Sequence, residues 1–245
     1  MESALGHKTA SRTAARYSEL TKSYYRVSRR ISEGLFISVC GLDGAGKTTQ
    51  IRLLSGYLER KGYEVLVTKN PTDWFRTDPK MRSFLRERKE GLSVPVETVA
   101  LFAAADRVAQ YLNEILPALR TRKIVITDRY LYTGMAIMLA RGLNDMEWLR
   151  ILNRHVPYPD ISFYIDTTPE AAMRRIIERG TPRVKAEENL AFLRTLRECF
   201  LDVLAGEKVV RVDGNNDIDT VHMNIVRAMD SFLRGRLGRR NRKSI

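Results

Sequence analysis

Short apolar runs alternate with longer stretches of helical periodicity along most of the chain. The apolar runs predict strands at 35–40, 64–68, 123–127, 161–165 and 208–212. The stretches with apolar residues three or four positions apart predict helices near 47–61, 96–121, 145–155, 169–179, 187–204 and 217–234. This alternation is typical of an α/β protein in which helices cover a five-stranded parallel sheet.

Two of the predicted helices have clear starting signals. Thr168 stands before Pro169, so a capping hydroxyl precedes a proline at the first helical position. Asp217 follows the turn Asp213-Gly-Asn-Asn216 and opens the last helix. The sequence contains no internal repeat, so we expect one domain.

The net charge of +13 lies mostly at the two ends of the chain. Residues 1–33 contain seven Lys and Arg against three acidic residues, and residues 234–245 contain six Lys and Arg and no acidic residue. The 200 residues between them carry only +3, so we expect no nucleic-acid partner for the body. We therefore expect a basic extension at 1–33, a globular domain at 34–234 and a basic tail at 235–245.

Residues 1–33 leave two interpretations open. A solvated arm on a cytoplasmic protein is favoured over an organellar transit peptide, because Glu19 and the lack of a clear cleavage signal weaken the second. The apolar runs fall short of the roughly 20 residues that cross a bilayer, so we expect no membrane association. Cys40 and Cys199 have no zinc-site or disulfide spacing, which fits a reducing compartment, and Cys40 is interpreted as a core residue.

The segment from Gly41 to Thr48 reads Gly-Leu-Asp-Gly-Ala-Gly-Lys-Thr, between a predicted strand and a predicted helix. In this context the glycines let backbone N–H groups point at phosphate oxygens, and the helix N-terminus adds positive potential. Lys47 would reach the β- and γ-phosphates, and the Thr48 hydroxyl would bind Mg²⁺. The predicted nucleoside triphosphate site comprises Gly41, Leu42, Asp43, Gly44, Ala45, Gly46, Lys47, Thr48 and Thr49.

Asp128 and Arg129 directly follow the strand predicted at 123–127, where ligands bind in parallel sheets. Asp128 is a candidate partner of Mg²⁺ or of Lys47. Arg129 would clamp a phosphate with its planar set of donors. An exposed ion pair at a strand end is the alternative, which the nearby phosphate loop weakens.

A basic segment broken by glycine and proline follows the helix that begins at Pro169. This arrangement predicts a small helical lid at about 174–188. Phosphoryl transfer develops negative charge that arginines in a lid can stabilise while the lid excludes water. Arg179 and Arg183 flank the break and are the catalytic candidates, whereas Arg174 and Arg175 are interpreted as solvated.

Over residues 35–234 the sequence resembles the thymidylate kinase family. The matching segments are Gly41 to Gln50, Ala104-Ala-Asp-Arg107, Asp128 to Gly134, Pro159-Asp160 and Asp166 to Glu170. The resemblance implies a P-loop NTPase fold with three α/β/α layers and the transfer of the ATP γ-phosphate to dTMP, giving dTDP. It also implies ATP and Mg²⁺ as cofactors and a homodimer.

The resemblance assigns roles to residues as well. Lys47 would serve ATP and Thr48 the metal, for which Asp128 is the second candidate from its position after the strand. Lys47 with Arg129 would be catalytic. Substrate contacts are implied for Asp43, Arg107, Arg129 and Thr133, with Arg107 reaching the base. The family supplies a further catalytic arginine from the phosphate loop or from the lid. Since Leu42-Asp-Gly-Ala45 contains no arginine, this chain is similar to the type in which the lid supplies it.

Two positions near Arg107 and Thr133 depart from the family pattern. Ala103 stands where the family usually has an aromatic residue, with Phe102 one position earlier, and Ile137 stands where the family has Tyr or Phe. Without the family, the alanine-rich surroundings of Arg107 fit packing and substrate binding equally well. The acceptor therefore stays open between dTMP and another nucleoside monophosphate or a deoxynucleoside.

A third departure lies in the loop after the second predicted strand. Lys69-Asn70-Pro71 replaces the family's arginine-containing loop, so Arg76, Arg82 or neither would bind the acceptor phosphate.

A different class of function is also open, a non-catalytic nucleotide- or nucleic-acid-binding protein that uses residues 1–33 and 234–245. This alternative predicts steeply salt-dependent binding of polynucleotides.

Overall fold

The computed structural model describes residues 34–86, 94–180 and 189–241, which form one five-stranded sheet flanked by helices. The strands are β1 (Leu35–Gly41), β2 (Val65–Lys69), β3 (Ile124–Asp128), β4 (Ile161–Asp166) and β5 (Val209–Asp213). They are ordered β2-β3-β1-β4-β5 and all neighbouring pairs are parallel. The fold class is therefore confirmed, and each predicted strand agrees with the observed one to within one residue at either end.

Helices occupy most of the remaining described chain. They are α1 (Lys47–Arg60), α2 (Asp73–Thr77), α3 (Pro79–Arg86), α4 (Val96–Gln110), α5 (Leu116–Arg120), α6 (Leu131–Ala140), α7 (Met146–Leu152), α8 (Pro169–Glu178), α9 (Leu190–Leu204) and α10 (Ile218–Asn241). Both predicted starting signals are confirmed. The Thr168 side chain accepts from the Ala171 N–H, and the Asp217 carboxylate accepts from the Thr220 N–H at 2.8 Å.

The helix predicted at 96–121 is confirmed from Val96 to Arg120, but its hydrogen bonding changes on the way. After α4 the chain makes a π-helical turn at Tyr111–Ile115 before α5 begins. Pro117 lacks the N–H that regular α-helical bonding would need at this point, which fits a π-helical turn just before it. The last helix, predicted to end at 234, continues to Asn241.

The sequence analysis missed α2, α3 and α6. In α6, seven of ten side chains are buried, so no polar face produces a helical period. With five residues, α2 is too short for periodicity to identify it. The predicted extension at 1–33 and residues 242–245 lie outside the described ranges.

The central strand β1 is buried along all seven of its residues. Cys40 lies in it with 1% exposure, and burial raises the pKa of its thiol to about 12, so its interpretation as a core residue is confirmed. Beside β1, the chain leaves β3 at Asp128, so that the loop after β1 and Asp128 meet at the carboxyl edge of the sheet. In the part of the chain that the structure describes, no helix is long and apolar enough to cross a membrane.

Candidate functional site

The loop between β1 and α1 is shaped by glycines. Gly44 has a φ of +80°, and a Cβ atom there would lie 2.2 Å from the carbonyl oxygen of Ala172 in α8, so only glycine fits. The first hydrogen bond of α1 runs from Gln50 N to Gly46 O at 3.1 Å. The preceding amides of residues 47–49 therefore lie before the helical ladder begins, at the positive end of the helix.

Lys47 folds back across this loop. Its Nζ donates to the Leu42 carbonyl oxygen at 2.7 Å and lies 3.9 Å from an Asp43 carboxylate oxygen, with only 6% of the side chain exposed. The pKa of Lys47 is lowered to about 8, chiefly by burial and to a smaller extent by repulsion from Arg129. An anion bound in the loop would offset this desolvation and stabilise the charged ammonium.

Thr48 and Asp128 face each other across the edge of the sheet. The Thr48 hydroxyl lies 3.5 Å from Asp128 Oδ2. Within the described ranges, Asp128 Oδ1 is buried and has no hydrogen-bond partner. A buried carboxylate oxygen beside a hydroxyl fits Mg²⁺, which usually binds one or two protein groups together with waters and substrate phosphates. Accordingly, the described residues contain no group of three or more His, Cys, Asp or Glu side chains that could form a complete metal cage.

Arg129 connects the phosphate loop to a neighbouring pocket. Its guanidinium forms an ion pair with Asp43, and both side chains line this pocket. The backbone of Arg129 has a φ of +67° and is held by a hydrogen bond from its N–H to Val39 O at 2.9 Å and by one from the Thr127 hydroxyl to its carbonyl oxygen. The guanidinium is thus directed at the loop by a constrained turn after β3.

The pocket beside Asp43 and Arg129, hereafter the acceptor pocket, is mostly apolar with polar groups at its margins. Its lining residues are Asp43, Asn70, Pro71, Phe75, Arg76, Phe84, Ala103, Arg107, Arg129, Tyr130, Thr133, Gly134, Ile137 and Met138. All four residues predicted to contact substrate therefore lie together here. Ala103 and Ile137, the two departures from the family pattern, also lie here.

Arg107 is buried, with 3% exposure, at the edge of the acceptor pocket. Its Nε donates to Asn153 Oδ1 and its Nη1 donates to Asn70 Oδ1, each at 2.8 Å. A Cβ atom on Gly134 would lie 3.0 Å from Nη1 and 3.1 Å from Nη2, so the absence of a side chain there makes room for the guanidinium. Two amide oxygens thus hold a charged group that burial would otherwise penalise.

Asp106 anchors the loop after β2. The carboxylate is 1% exposed and accepts hydrogen bonds from the Thr72 N–H at 3.0 Å, the Thr72 hydroxyl and Asn70 Nδ2 at 3.2 Å. Asn70 therefore links Asp106 to Arg107. The sequence analysis missed this network, because the partners lie 34 to 37 residues apart in sequence and no local pattern relates them.

Two further side chains of the pocket are informative. Thr133 Oγ1 is buried and, among the described residues, has no hydrogen-bond partner. Arg76 lines the pocket and its Nε donates to Pro71 O at 2.8 Å, whereas Arg82 is exposed on α3. Of the two arginines that the sequence left open, the structure brings Arg76 into the pocket.

A second cleft, hereafter the donor cleft, opens beside α8. It has a volume of about 470 Å³ and is lined by Thr168, Ala171, Arg174, Arg175, Glu178 and Asn215. Arg175 is half-buried and its Nη1 donates to Gly214 O at 2.9 Å, so the prediction that it is solvated is wrong, while Arg174 is exposed as predicted. Arg179 lies exposed at the end of α8, and Arg183 lies outside the described residues.

Comparisons with known proteins identify the family to which the chain is similar. The model of the thymidylate kinase family matches residues 39–225. A protein named probable thymidylate kinase from Thermococcus kodakarensis is 38% identical over 206 residues, which cover 81% of this chain and 98% of the relative. One of the same name from Pyrococcus horikoshii is 38% identical over 204 residues, with 82% and 98% covered. A thymidylate kinase from Caldanaerobacter subterraneus is 37% identical over 213 residues, again with 82% and 98% covered.

Proposed function

Because the chain belongs to the thymidylate kinase family, we propose that it transfers the γ-phosphate of ATP to dTMP, giving dTDP and ADP, with the acceptor in the pocket beside Arg129. As a member of this family it is a nucleoside monophosphate kinase that uses ATP as its phosphate donor. The observation that carries the proposal is the Arg129–Asp43 ion pair, because Asp43 belongs to the phosphate loop and also lines the acceptor pocket. The site for the ATP phosphates and the acceptor pocket therefore adjoin each other at Asp43.

The donor phosphates would bind in the loop at residues 41–49. The amides at the start of α1 and the Lys47 ammonium provide donors and positive charge there. Gly44 packs against Ala172, next to the donor cleft, so that a nucleotide with its phosphates in the loop can extend its base towards Arg175 and Asn215. We assign the adenine to this cleft.

Mg²⁺ would be held by Thr48 and Asp128. The ion would neutralise negative charge on the phosphates during transfer of the γ-phosphoryl group. This assignment is supported by Asp128 Oδ1, which has no hydrogen-bond partner among the described residues, and by the Thr48 hydroxyl, which lies 3.5 Å from Asp128 Oδ2. The described residues provide no larger ligand set, so phosphate and water oxygens would complete the coordination.

The acceptor would lie with its phosphate towards Arg76 and Arg129 and its base towards Arg107 and Thr133. The two arginines can bind phosphate oxygens. The Thr133 hydroxyl, which has no partner within the described ranges, can donate to or accept from a base. The reaction needs no protein nucleophile, so these residues act by positioning the acceptor oxygen and balancing charge. We assign the further catalytic charge to Arg179 and Arg183 in the lid.

An exposed apolar stripe supports the predicted homodimer. Leu101, Ala105, Val108 and Leu112 follow one another four, three and four positions apart on one face of α4 and the turn after it, and Leu101 and Leu112 are 52% and 49% exposed. Leu101→Glu with Leu112→Glu should give a monomer in light scattering. Ile151→Glu, at an equally exposed position on α7, should leave the mass unchanged. A monomeric wild-type protein would contradict the proposed dimer.

A panel of acceptors tests the proposed reaction. ADP release would be measured with ATP, Mg²⁺ and, in turn, dTMP, dUMP, UMP, dCMP and thymidine. We expect the highest kcat/KM with dTMP. Ala103 and Ile137 in the pocket favour one second candidate, a broader kinase for pyrimidine monophosphates, which would be recognised by equal turnover of UMP. ATP turnover that no acceptor stimulates would refute both.

A further inference from the structure

Two of the three aromatic residues that line the acceptor pocket come from helices that the sequence analysis did not predict. The third, Tyr130, follows β3 and packs edge-on against Phe36, with 5.0 Å between the ring centroids. The two phenylalanines that line the pocket are Phe75 from α2 and Phe84 from α3. The longer helix α4 contributes Ala103 and Arg107, of which one offers a methyl group and the other a charged edge. A planar base in this pocket therefore has no aromatic partner on α4.

Phe102, the aromatic residue nearest to Ala103 in sequence, packs elsewhere. Its ring centroid lies 5.7 Å from that of Phe75 and 4.6 Å from that of Trp74, whose side chain is 54% exposed. Phe102 thus packs against α2 on the side of Trp74. Phe102 contacts the ring of Phe75, and Phe75 in turn lines the pocket, so Phe102 reaches the pocket only indirectly.

Phe84 is already engaged in a stack with a cation. The Arg141 guanidinium lies 4.8 Å from the centroid of the Phe84 ring and 5.1 Å from that of Phe192 in α9. Phe84 is 0% exposed and Phe75 is 2% exposed, so the two rings differ in their partners and not in their burial. The Arg141 guanidinium, just after α6, therefore links Phe84 of α3 to Phe192 of α9. Phe75 has no such charged partner among the described contacts.

Helix α2 is fixed at both ends of its short length. Thr72, just before it, is bound to Asp106 through its N–H and its hydroxyl, and Arg76 within it is bound to Pro71 O. Phe75 and Arg76 are neighbours on this helix and both line the acceptor pocket. One anchored helix can therefore present a ring to the base and a guanidinium to the phosphate of the same ligand.

We propose that Phe75 provides the aromatic wall against which the pyrimidine ring of the acceptor packs, so that it is a base-binding residue in a chain whose α4 presents no aromatic side chain to the pocket. This inference rests on the proposed function. Stacking of a base on an aromatic ring is sequence-tolerant and depends on the ring rather than on side-chain volume alone. Leucine at position 75 would keep an apolar side chain and lose the ring.

The test compares Phe75→Leu with Phe102→Leu, the same substitution in the adjacent ring outside the pocket. For Phe75→Leu we expect the KM for dTMP to rise about tenfold or more, from the usual strength of base stacking, with the KM for ATP unchanged. For Phe102→Leu we expect less than a twofold change. Phe75→Tyr, which retains the ring, should restore most of the affinity. Melting temperatures of all variants would confirm that each is folded.

A probe without a base separates stacking from a general loss of pocket structure. 2-Deoxyribose 5-phosphate would be used as a competitive inhibitor against dTMP. Phe75→Leu should leave its inhibition constant unchanged while weakening dTMP. Equal weakening of both ligands, or an equal rise in KM for the two leucine variants, would overturn the inference. Failure of the wild-type protein to phosphorylate dTMP would instead refute the proposed function, so the two failures are distinguishable.

Discussion

The donor and acceptor sides of the site are built in different ways. On the donor side, consecutive residues 41–49 provide backbone amides, the Lys47 ammonium and the Thr48 hydroxyl, and Gly44 is required by the neighbouring α8. On the acceptor side, side chains from α2, α3, α4, α6 and the end of β3 converge, and a buried network through Asp106 and Asn70 holds them. A triphosphate can thus be bound by local backbone geometry, whereas selection of an acceptor depends on tertiary packing.

Lys47→Ala should give the largest loss, because it removes the charge on the donor side that is closest to the phosphate loop. We expect kcat to fall on the order of a thousandfold, as for loss of a preorganised donor at a developing charge. ADP release would measure it, and an unchanged circular dichroism spectrum would show that the fold is intact. Lys123→Ala, which removes a half-buried lysine paired with Glu64 away from the phosphate loop, serves as control. Wild-type turnover by Lys47→Ala would remove the assigned role.

Arg179→Ala and Arg183→Ala test whether the lid provides charge that the phosphate loop lacks. Each should lower kcat by roughly a hundredfold while raising KM much less, because the interaction would form only in the transition state. Arg60→Ala, at the far end of α1 and exposed, is the matched control. If kcat is unchanged in both lid variants, the catalytic charge comes from elsewhere.

Asp106→Ala should impair binding of the acceptor and leave binding of ATP intact. It leaves the Thr72 N–H, the Thr72 hydroxyl and Asn70 Nδ2 without their acceptor, and each unsatisfied buried group costs about 1–3 kcal/mol. We expect a lower melting temperature and a KM for dTMP raised about tenfold, with the KM for ATP little changed. Asp73→Ala removes an exposed carboxylate in α2 and should do neither. An equal rise in both KM values would mean that the two sides are not separable.

The pH dependence of kcat/KM for ATP tests the role of Lys47 on the donor side. Burial lowers the pKa of Lys47 to about 8, so kcat/KM for ATP should fall by up to about tenfold per pH unit above that value, as the ammonium loses its proton. Lys47→Arg, which stays charged, should show no such fall in its residual activity. The native state releases this proton at a lower pH than the unfolded chain does, so the residue contributes increasing stability from about pH 8 to 10.5. A flat profile for the wild type up to pH 10 would contradict the lowered pKa.

Much of the fold was predictable, because the strands and most helices carry local signals. The five strands are short β-branched runs, and Thr168 and Asp217 mark helix starts by hydrogen bonds within three residues. The missed α6 shows the limit of this approach. Its side chains are buried almost all round, so its pattern lacks the contrast between polar and apolar faces on which periodicity depends.

By itself, the sequence determined the sheet and the phosphate loop, since both depend on contacts between residues that are close along the chain or on the hydrophobic pattern of each element. The tertiary structure alone decided that Arg76 rather than Arg82 reaches the acceptor pocket, that Phe102 packs away from it and that Asp106 holds its loop. These outcomes depend on which way a short helix presents its side chains and on hydrogen bonds across more than 30 residues. No spacing along the chain encodes them, because they exist only after distant elements have packed together.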